Sequence, residues 1–314
     1  MAKKMLVTDS SVYRKVVKGL ITDNSVYRKV KKGFVTESGV YRQFFSSDLV
    51  ITYSGNMTDE VVTMSGQQYR LLTLTSSGTL NISEAVDAEV WMCGGGTSGC
   101  CSEYHGSGGG GAGAFCAFGN ITLVDNMIAV IGAGGNTNTS YYGNYNKGTA
   151  SSFGEIQTSI NFTKAKTFSG ISGGTGGGTG SELDDTQSDD GGKGDGVSKY
   201  PFNETSYFRC HCAGGGAGAM KATGGGYNGG KGGTNGGNGT GPTYASNPTA
   251  ASGGNYGGGS GGVWLSSSSI TNSTAATFYG SGGGGGYTAH PNWPTNRGAA
   301  GYQGVIYIRI PLTA

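Results

Sequence analysis

Tyr279-Gly280-Ser281-Gly282-Gly283-Gly284-Gly285-Gly286-Tyr287 offers almost no side chain from which to build a core. The same poverty recurs at Gly108-Gly109-Gly110-Gly111 and Gly229-Gly230-Lys231-Gly232-Gly233-Thr234. Of 314 residues 65 are glycine, and only Gly19, Gly33, Gly39, Gly55, Gly66 and Gly78 precede Gly94. Average usage is about 7 %. Glycine loses the most conformational freedom on folding, so such a chain stays disordered unless it adopts a structure that glycine alone permits. Close packing of bare backbones is that structure. A left-handed polyproline-II helix has three residues per turn and no internal hydrogen bonds. In a Gly-Gly-X triplet two of its three faces are bare, so neighbouring helices can exchange N–H···O=C bonds and Cα–H···O contacts. The runs at 173–180, 214–218, 224–239, 253–262 and 280–286 are predicted to pack in this way. Collagen is excluded, because glycine does not recur at every third position and only six prolines are present.

Short β-rich runs surround the glycine. Strands are predicted at Leu49 to Tyr53, Val61 to Met64, Arg70 to Leu74, Thr79 to Ile82, Ala88 to Cys93, Ala114 to Phe118, Met127 to Ile131 and Gly304 to Ile310. No segment carries a 3.6-residue apolar stripe, so the fold class is all-β and irregular, with almost no α-helix. Polar loops interrupt the glycine at 136–147, 181–190, 197–212, 240–252, 263–279 and 287–297. They are expected at the bundle ends, where variation costs the scaffold least.

The N-terminus is a different text. Leu6-Val7-Thr8-Asp9-Ser10-Ser11-Val12-Tyr13-Arg14-Lys15-Val16-Val17-Lys18-Gly19 recurs from Leu20 and again from Phe34, with Thr at 8, 22 and 36 and Tyr at 13, 27 and 41. The period is 14 residues. Two β-rich runs split by a polar turn make each unit a hairpin. A unit this short cannot bury a face alone, so the hairpins are expected to stack on each other or on neighbouring chains. Residues 1–45 hold ten Lys/Arg against three acids, while the rest of the chain is net acidic. Because the basic residues recur within the repeat, a solvated strand face or an acidic neighbour explains them better than nucleic acid. Three regions follow: an assembly segment 1–45, a connecting β segment 46–68, and a glycine-rich domain 69–314. Met1-Ala2-Lys3-Lys4 leads into alternating residues and not into an apolar stretch, and nothing reaches the roughly 20 apolar residues of a membrane span. Synthesis in a cytoplasm is expected.

Tyr69-Arg70-Leu71-Leu72-Thr73-Leu74, Val90-Trp91-Met92-Cys93-Gly94-Gly95-Gly96, Val130-Ile131-Gly132-Ala133-Gly134-Gly135, Gly148-Thr149-Ala150-Ser151-Ser152-Phe153-Gly154 and Gly304-Val305-Ile306-Tyr307-Ile308-Arg309-Ile310 together look like the glycine-rich domain of bacteriophage tail-fibre and tail-tip proteins. The Val-Tyr-Arg-Lys-Val-x-Lys-Gly units resemble repeats that head tail-fibre proteins in phages of Gram-positive bacteria. The glycine runs are similar in architecture to the polyglycine-II adhesins of T-even-type phages, without aligned residues. The resemblance implies a virion tail protein without enzymatic activity. Its head would bind other tail proteins or sibling chains in a homo-oligomer such as a trimer, and its glycine-rich domain would bind a host-surface glycan or protein. The nearest alternative is a purely structural component of baseplate, tail tip or head. An ice-binding protein would also use glycine helices, but it leaves the 14-residue repeats unexplained.

Chemistry finds little purchase. Gly-x-Gly-x-x-Gly matches arise here from composition, and none lies between a strand and an amphipathic helix, as a dinucleotide site requires. A depolymerase needs two rigid carboxylates about 5 to 9.5 Å apart. The densest acids, Glu182, Asp184, Asp185, Asp189, Asp190 and Asp195, fall in one Gly/Ser-rich loop. Cys93, Cys100, Cys101, Cys116, Cys210 and Cys212 show no Cys-x-x-Cys spacing, so reduced, buried thiols are expected rather than a metal centre or a disulfide framework. No cofactor is expected.

Aromatic residues carry the remaining signal. Tyr141, Tyr142, Tyr145, Tyr200, Phe202, Tyr207, Phe208, Trp264, Tyr279, Tyr287 and Trp293 stand in loops rich in Asn, Ser and Thr. Two readings divide them: rings that cap the bundle ends, and a paratope-like surface in which rigid rings supply area and small polar residues adapt. They are the candidate receptor-binding residues.

Overall fold

The computed structural model describes residues 5–9, 12–16, 20–23, 26–29, 32–37, 40–46, 49–100, 106–107, 110–137, 145–159, 163–164, 171–172, 200–216, 218–222, 225–227, 256–266, 269–288 and 297–312. Of the predicted glycine runs, 173–180, 224, 228–239, 253–255 and residue 217 lie outside them, and Gly225–Tyr227, expected in a polyproline-II run, is instead a β-strand paired with Ala219–Ala222. The chain divides into two compact units, Met1–Ile51 and Thr52–Ala314.

In the first unit β1 (Met5–Asp9) pairs β2 (Val12–Val16), β3 (Leu20–Asp23) pairs β4 (Val26–Lys29), and β5 (Lys32–Glu37) pairs β6 (Val40–Ser46). The register repeats with the sequence, setting Thr8 opposite Tyr13, Thr22 opposite Tyr27 and Thr36 opposite Tyr41. Among the described residues each repeat forms its own two-stranded sheet.

Then follow β7 (Ile51–Tyr53), whose last two residues open the second unit, β8 (Met57–Met64), β9 (Gln67–Leu74), β10 (Gly78–Ile82) and β11 (Val86–Cys93). Next come β12 (Gly106–Ser107), β13 (Cys116–Leu123), β14 (Met127–Val130), β15 (Ser152–Phe153), β16 (Ile156–Gln157), β17 (Thr163–Lys164) and β18 (Ile171–Ser172). A single 3-10 turn follows at Pro201–Asn203. The series closes with β19 (Ala219–Ala222), β20 (Gly225–Tyr227), β21 (Val263–Ser266), β22 (Ser269–Thr271), β23 (Tyr287–Thr288) and β24 (Val305–Pro311). No α-helix occurs among the described residues, and none of their helices is long and apolar enough to cross a membrane.

Two antiparallel five-stranded sheets make the body, ordered β16-β15-β14-β10-β7 and β13-β11-β24-β9-β8. Strand β24 reads Val-Ile-Tyr-Ile-Arg-Ile, and all six of these residues are buried, as befits a strand covered on both faces. The first sheet covers one of those faces. Its Ile156 and Gly154 lie against Gly119 and Ile121 of β13, and its alternate residues Leu80, Ile82, Met127, Ala129 and Phe153 are buried. The opposite face lies under residues 200–212, where Phe202, Phe208 and Cys212 join Val62, Leu71, Trp91 and Tyr307 in one apolar cluster.

The glycine runs grow from the ends of these strands. β11 runs on into 94–100, β13 is preceded by 110–115, β24 by 298–304, and β15 by 145–151. Along 94–99 the N–H donors rotate among three neighbours. Gly94 and Thr97 donate to Phe115 and Ala112, Gly95 and Ser98 to Thr149 and Asn146, and Gly96 and Gly99 to Tyr302 and Ala299. A hydrogen-bonding period of three, directed at three neighbours, is the signature of packed polyproline-II helices. Residues 280–286 occupy the centre of the bundle. Gly282 and Gly285 donate to Ala213 and Gly216, Gly283 and Gly286 to Thr97 and Cys100, and Gly284 to Thr274. Their carbonyls accept from Ala114 and Gly111, from Tyr302 and Ala299, and from Gly259 and Gly262. Six segments therefore surround this one, and all seven of its residues are buried. Hydrogen bonds and bare-backbone contact replace side-chain packing here.

Buried polar side chains serve the same network. Thr97 Oγ1 accepts from the Ala112 N–H at 2.7 Å. Ser151 Oγ donates to the Cys93 carbonyl at 2.7 Å and accepts from the Gly132 N–H at 2.9 Å. Each satisfies a backbone group that would otherwise be buried without a partner.

Candidate functional site

The predicted recognition residues separate on the structure. Phe202 and Phe208 are 7 % and 8 % exposed, and Phe208 packs 4.9 Å from the Tyr307 ring. Both belong to the core, which corrects their place among the candidate receptor-binding residues and follows the other reading, of rings packed into the body. The physical reason is that sheet β13-β11-β24-β9-β8 presents Trp91 and Tyr307 on an apolar face that these rings help to cover. Tyr207 stays 41 % exposed and donates its hydroxyl to Glu60 Oε1 at 3.3 Å. Tyr145 is half-buried and packs with Phe115 on Ala112. Tyr200 is half-buried beside Tyr256, and desolvation with that hydrogen bond raises its pKa. Tyr279 is half-buried and lies stacked on His211, with ring centroids 6.2 Å apart. Trp264 and Tyr287 fall on β21 and β23, with side chains outside the described residues, as Tyr141, Tyr142 and Trp293 are entirely.

Under the 200–212 cover, charge and ring pack tightly. Arg309 bonds Glu89 through Nη2 at 2.6 Å and Glu204 through Nη1 at 3.4 Å. Its guanidinium lies 4.5 Å from the Phe202 ring centroid and 4.6 Å from that of Tyr69. This places a fork-shaped cation between two carboxylates and two ring faces, a setting suited to arginine and not to lysine. His211 is buried against Trp91, Phe278 and Tyr307. Its Nδ1 lies 2.9 Å from the Arg209 carbonyl and its Nε2 3.0 Å from the Tyr307 hydroxyl. A neutral ring that donates from Nδ1 and accepts at Nε2 satisfies both. Burial pushes the His211 pKa down to about 3.

Where the cover ends, the same sheet face continues as an open groove of about 400 Å³, lined by Asp87, Ala88, Glu89, Asn120, Ile121, Thr122 and Pro311. The β11–β13 register sets Asp87 opposite Thr122, Glu89 opposite Asn120 and Trp91 opposite Phe118. Thr122 Oγ1 donates to Asp87 Oδ1 at 2.7 Å. Phe118, next along this face of β13, is 50 % exposed. Carboxylate, amide and hydroxyl groups beside an open ring suit a hydroxyl-rich ligand: the polar groups take its hydroxyls and the ring takes an apolar face. None of these groove residues stands out in the sequence. The only trace is the alternation Asp87-x-Glu89 and Asn120-x-Thr122 on one sheet face, and it means little until the pairing of β11 with β13 is known. Among the described residues no group of three or more His, Cys, Asp or Glu side chains is placed to hold a metal ion.

Residues 74–311 match the family described as the glycine-rich domain. The chain belongs to that family. The match begins at the last residue of β9 and ends on β24, so the glycine-rich domain takes in the bundle, the groove and the sheet strands from β10 onward, while β7, β8 and the rest of β9 precede it. No curated protein matches the sequence.

Proposed function

We propose that this glycine-rich domain protein is a non-enzymatic bacteriophage virion tail protein, a tail fibre or tail-tip adhesin that binds the bacterial host surface. The reading starts from the resemblance of its strand and glycine segments to tail-fibre and tail-tip domains. The observation that carries it further is the six-neighbour bundle around 280–286. Such a frame fixes where the segments that leave it begin and end, which reduces the entropy lost on binding. Tyr207, Tyr145, Tyr200 and Tyr279, with the loop candidates Tyr141, Tyr142 and Trp293, supply ring area for a host glycan or protein. The groove at Asp87, Asn120, Thr122 and Phe118 adds a surface for saccharide hydroxyls. Residues 1–45 join other tail proteins or sibling chains, and a homo-oligomer such as a trimer multiplies weak contacts into avid attachment. The chain is made in the host cytoplasm and works in the virion tail, with neither nucleic acid nor cofactor as partner.

Purified protein clustered on beads is expected to bind cells within a panel of bacterial strains and, in soluble form, to compete with phage adsorption. Replacing Tyr141, Tyr142, Tyr207 and Trp293 together by Ser should weaken cell binding by at least roughly tenfold, the loss of a few ring contacts. The melting temperature should stay near that of the parent. Full binding by this variant would remove these residues from the site. Failure of every version to bind any strain would leave the chain as a structural virion component.

A further inference from the structure

Three thiols meet beneath the 200–212 cover. Cys93 and Cys116 are Cα partners in the β11–β13 ladder. Cys116 Sγ lies 3.5 Å from Cys212 Sγ, across 96 residues of chain. Gly280 closes the group: a methyl added there would stand 2.6 Å from Cys212 Sγ and 3.0 Å from Cys93 Sγ. The backbone at Cys212 has φ 58°, the left-handed region that residues with a β-carbon seldom occupy. An unfavourable conformation that persists in a packed core is a pointer to what the residue is held there to do. In this conformation the Cys212 sulfur stands 3.5 Å from that of Cys116.

We propose that Cys116 and Cys212 are an oxidation site, forming an intramolecular disulfide that fastens the 200–212 cover to β13. The oxidant is a small disulfide of the glutathione class. The Cys116 thiolate, 6 % exposed against 0 % for Cys212, attacks one sulfur of the oxidant and releases one small thiol. The Cys212 thiolate then attacks Cys116 Sγ, the mixed disulfide breaks, and the second small thiol leaves. Two electrons pass to the oxidant, and the protons of the two cysteines end on the two released thiols. Closing from 3.5 Å to a bond of about 2.05 Å needs a shift of about 1.5 Å, within reach of side-chain rotation and small backbone movement. A chain synthesised in a reducing cytoplasm would keep the pair as thiols and form the bridge on release into an oxidising medium. The inference stands independently of what the chain binds.

The test takes the full chain, purified under reductant and then incubated with oxidised glutathione, through non-reducing peptide mass mapping. The expected result is one linked pair, the peptides carrying Cys116 and Cys212, in most molecules. The melting temperature should rise by about 5 °C or more, because the bridge closes a long loop, and should fall back on reduction. Cys100→Ser should keep both effects, while Cys116→Ser and Cys212→Ser should each abolish them. Should either serine variant fail to fold, the map of the parent chain decides alone. An unchanged mass, glutathione adducts without a bridge, or a bridge through Cys93, Cys100 or Cys210 would each overturn the proposal.

Discussion

Gly284→Ala is expected to abolish folding of the glycine-rich domain. Its added methyl would overlap the Ser260 carbonyl, with the Gly261 nitrogen 3.1 Å away. Both are backbone atoms of a neighbouring helix, which no rotamer change can move. The Gly284 N–H is bonded to Thr274 and its carbonyl to Ala299, so the segment cannot shift without breaking bonds on two other sides. Overpacking that forces backbone apart costs more than the 1–3 kcal/mol of an ordinary core insertion. Against a total stability of about 5–15 kcal/mol, a cost of about 5 kcal/mol or more removes the folded state. Gly66→Ala supplies the contrast. Gly66 has φ 83° with nothing within 4 Å of the added carbon, so the cost is conformational strain alone, about 1–2 kcal/mol. Circular dichroism melting and gel filtration check the pair. Equal melting of the Gly284 variant and the parent would be incompatible with the packed bundle.

Acid sensitivity centred on His211 is the second large effect. Burial holds the folded-state pKa near 3, whereas an unfolded histidine titrates at about 6.5. Between those values the unfolded chain takes up a proton that the folded chain refuses. The contribution of the neutral ring is therefore complete above about pH 6.5 and is lost as pH falls toward 3, by about 1.4 kcal/mol per pH unit. From pH 7 to pH 5 the parent should lose about 2 kcal/mol by this route, a window above the range in which ordinary carboxylates titrate. His211→Gln should begin less stable at pH 7, since the bonds to Tyr307 and Arg209 are disturbed. It should then change much less between pH 7 and pH 5. Urea unfolding at intervals across that range measures both chains, and parallel curves for the two would dispose of the assignment to His211.

The strands were readable in advance where β-branched and aromatic residues stand between turn residues. Arg70–Leu74, Ala88–Cys93 and Gly304–Ile310 fall on β9, β11 and β24 within a residue or two at their inner ends. The three-residue geometry of 280–286 was readable too, because a run without side chains has few other ways to be buried. Its partners were not. That Gly283 bonds to Thr97 and Gly285 to Gly216 depends on long-range closure that no local pattern encodes. Phe202 and Phe208 misled for a related reason. Set among Asn203, Glu204, Thr205 and Ser206 they resemble a polar loop, and a 3-10 turn with positive φ at Phe202 and Asn203 has no apolar period to reveal its buried side. The groove was hidden for a third reason, since Asp87 and Thr122 become neighbours only through the β11–β13 register.

The central claim is that glycine runs packed as polyproline-II helices, with neither α-helix nor β-strand, form the interior of the bundle, and amide hydrogen exchange reads it residue by residue. Gly282, Gly283, Gly284, Gly285 and Gly286 each donate a backbone hydrogen bond within the buried bundle. Their amides should exchange as slowly as those of Ile306 and Ile308 in β24, within about tenfold, because both sets open only on global unfolding. Exchange of the five glycine amides within seconds, at the rate of an open loop, while β24 stays protected, would contradict the account.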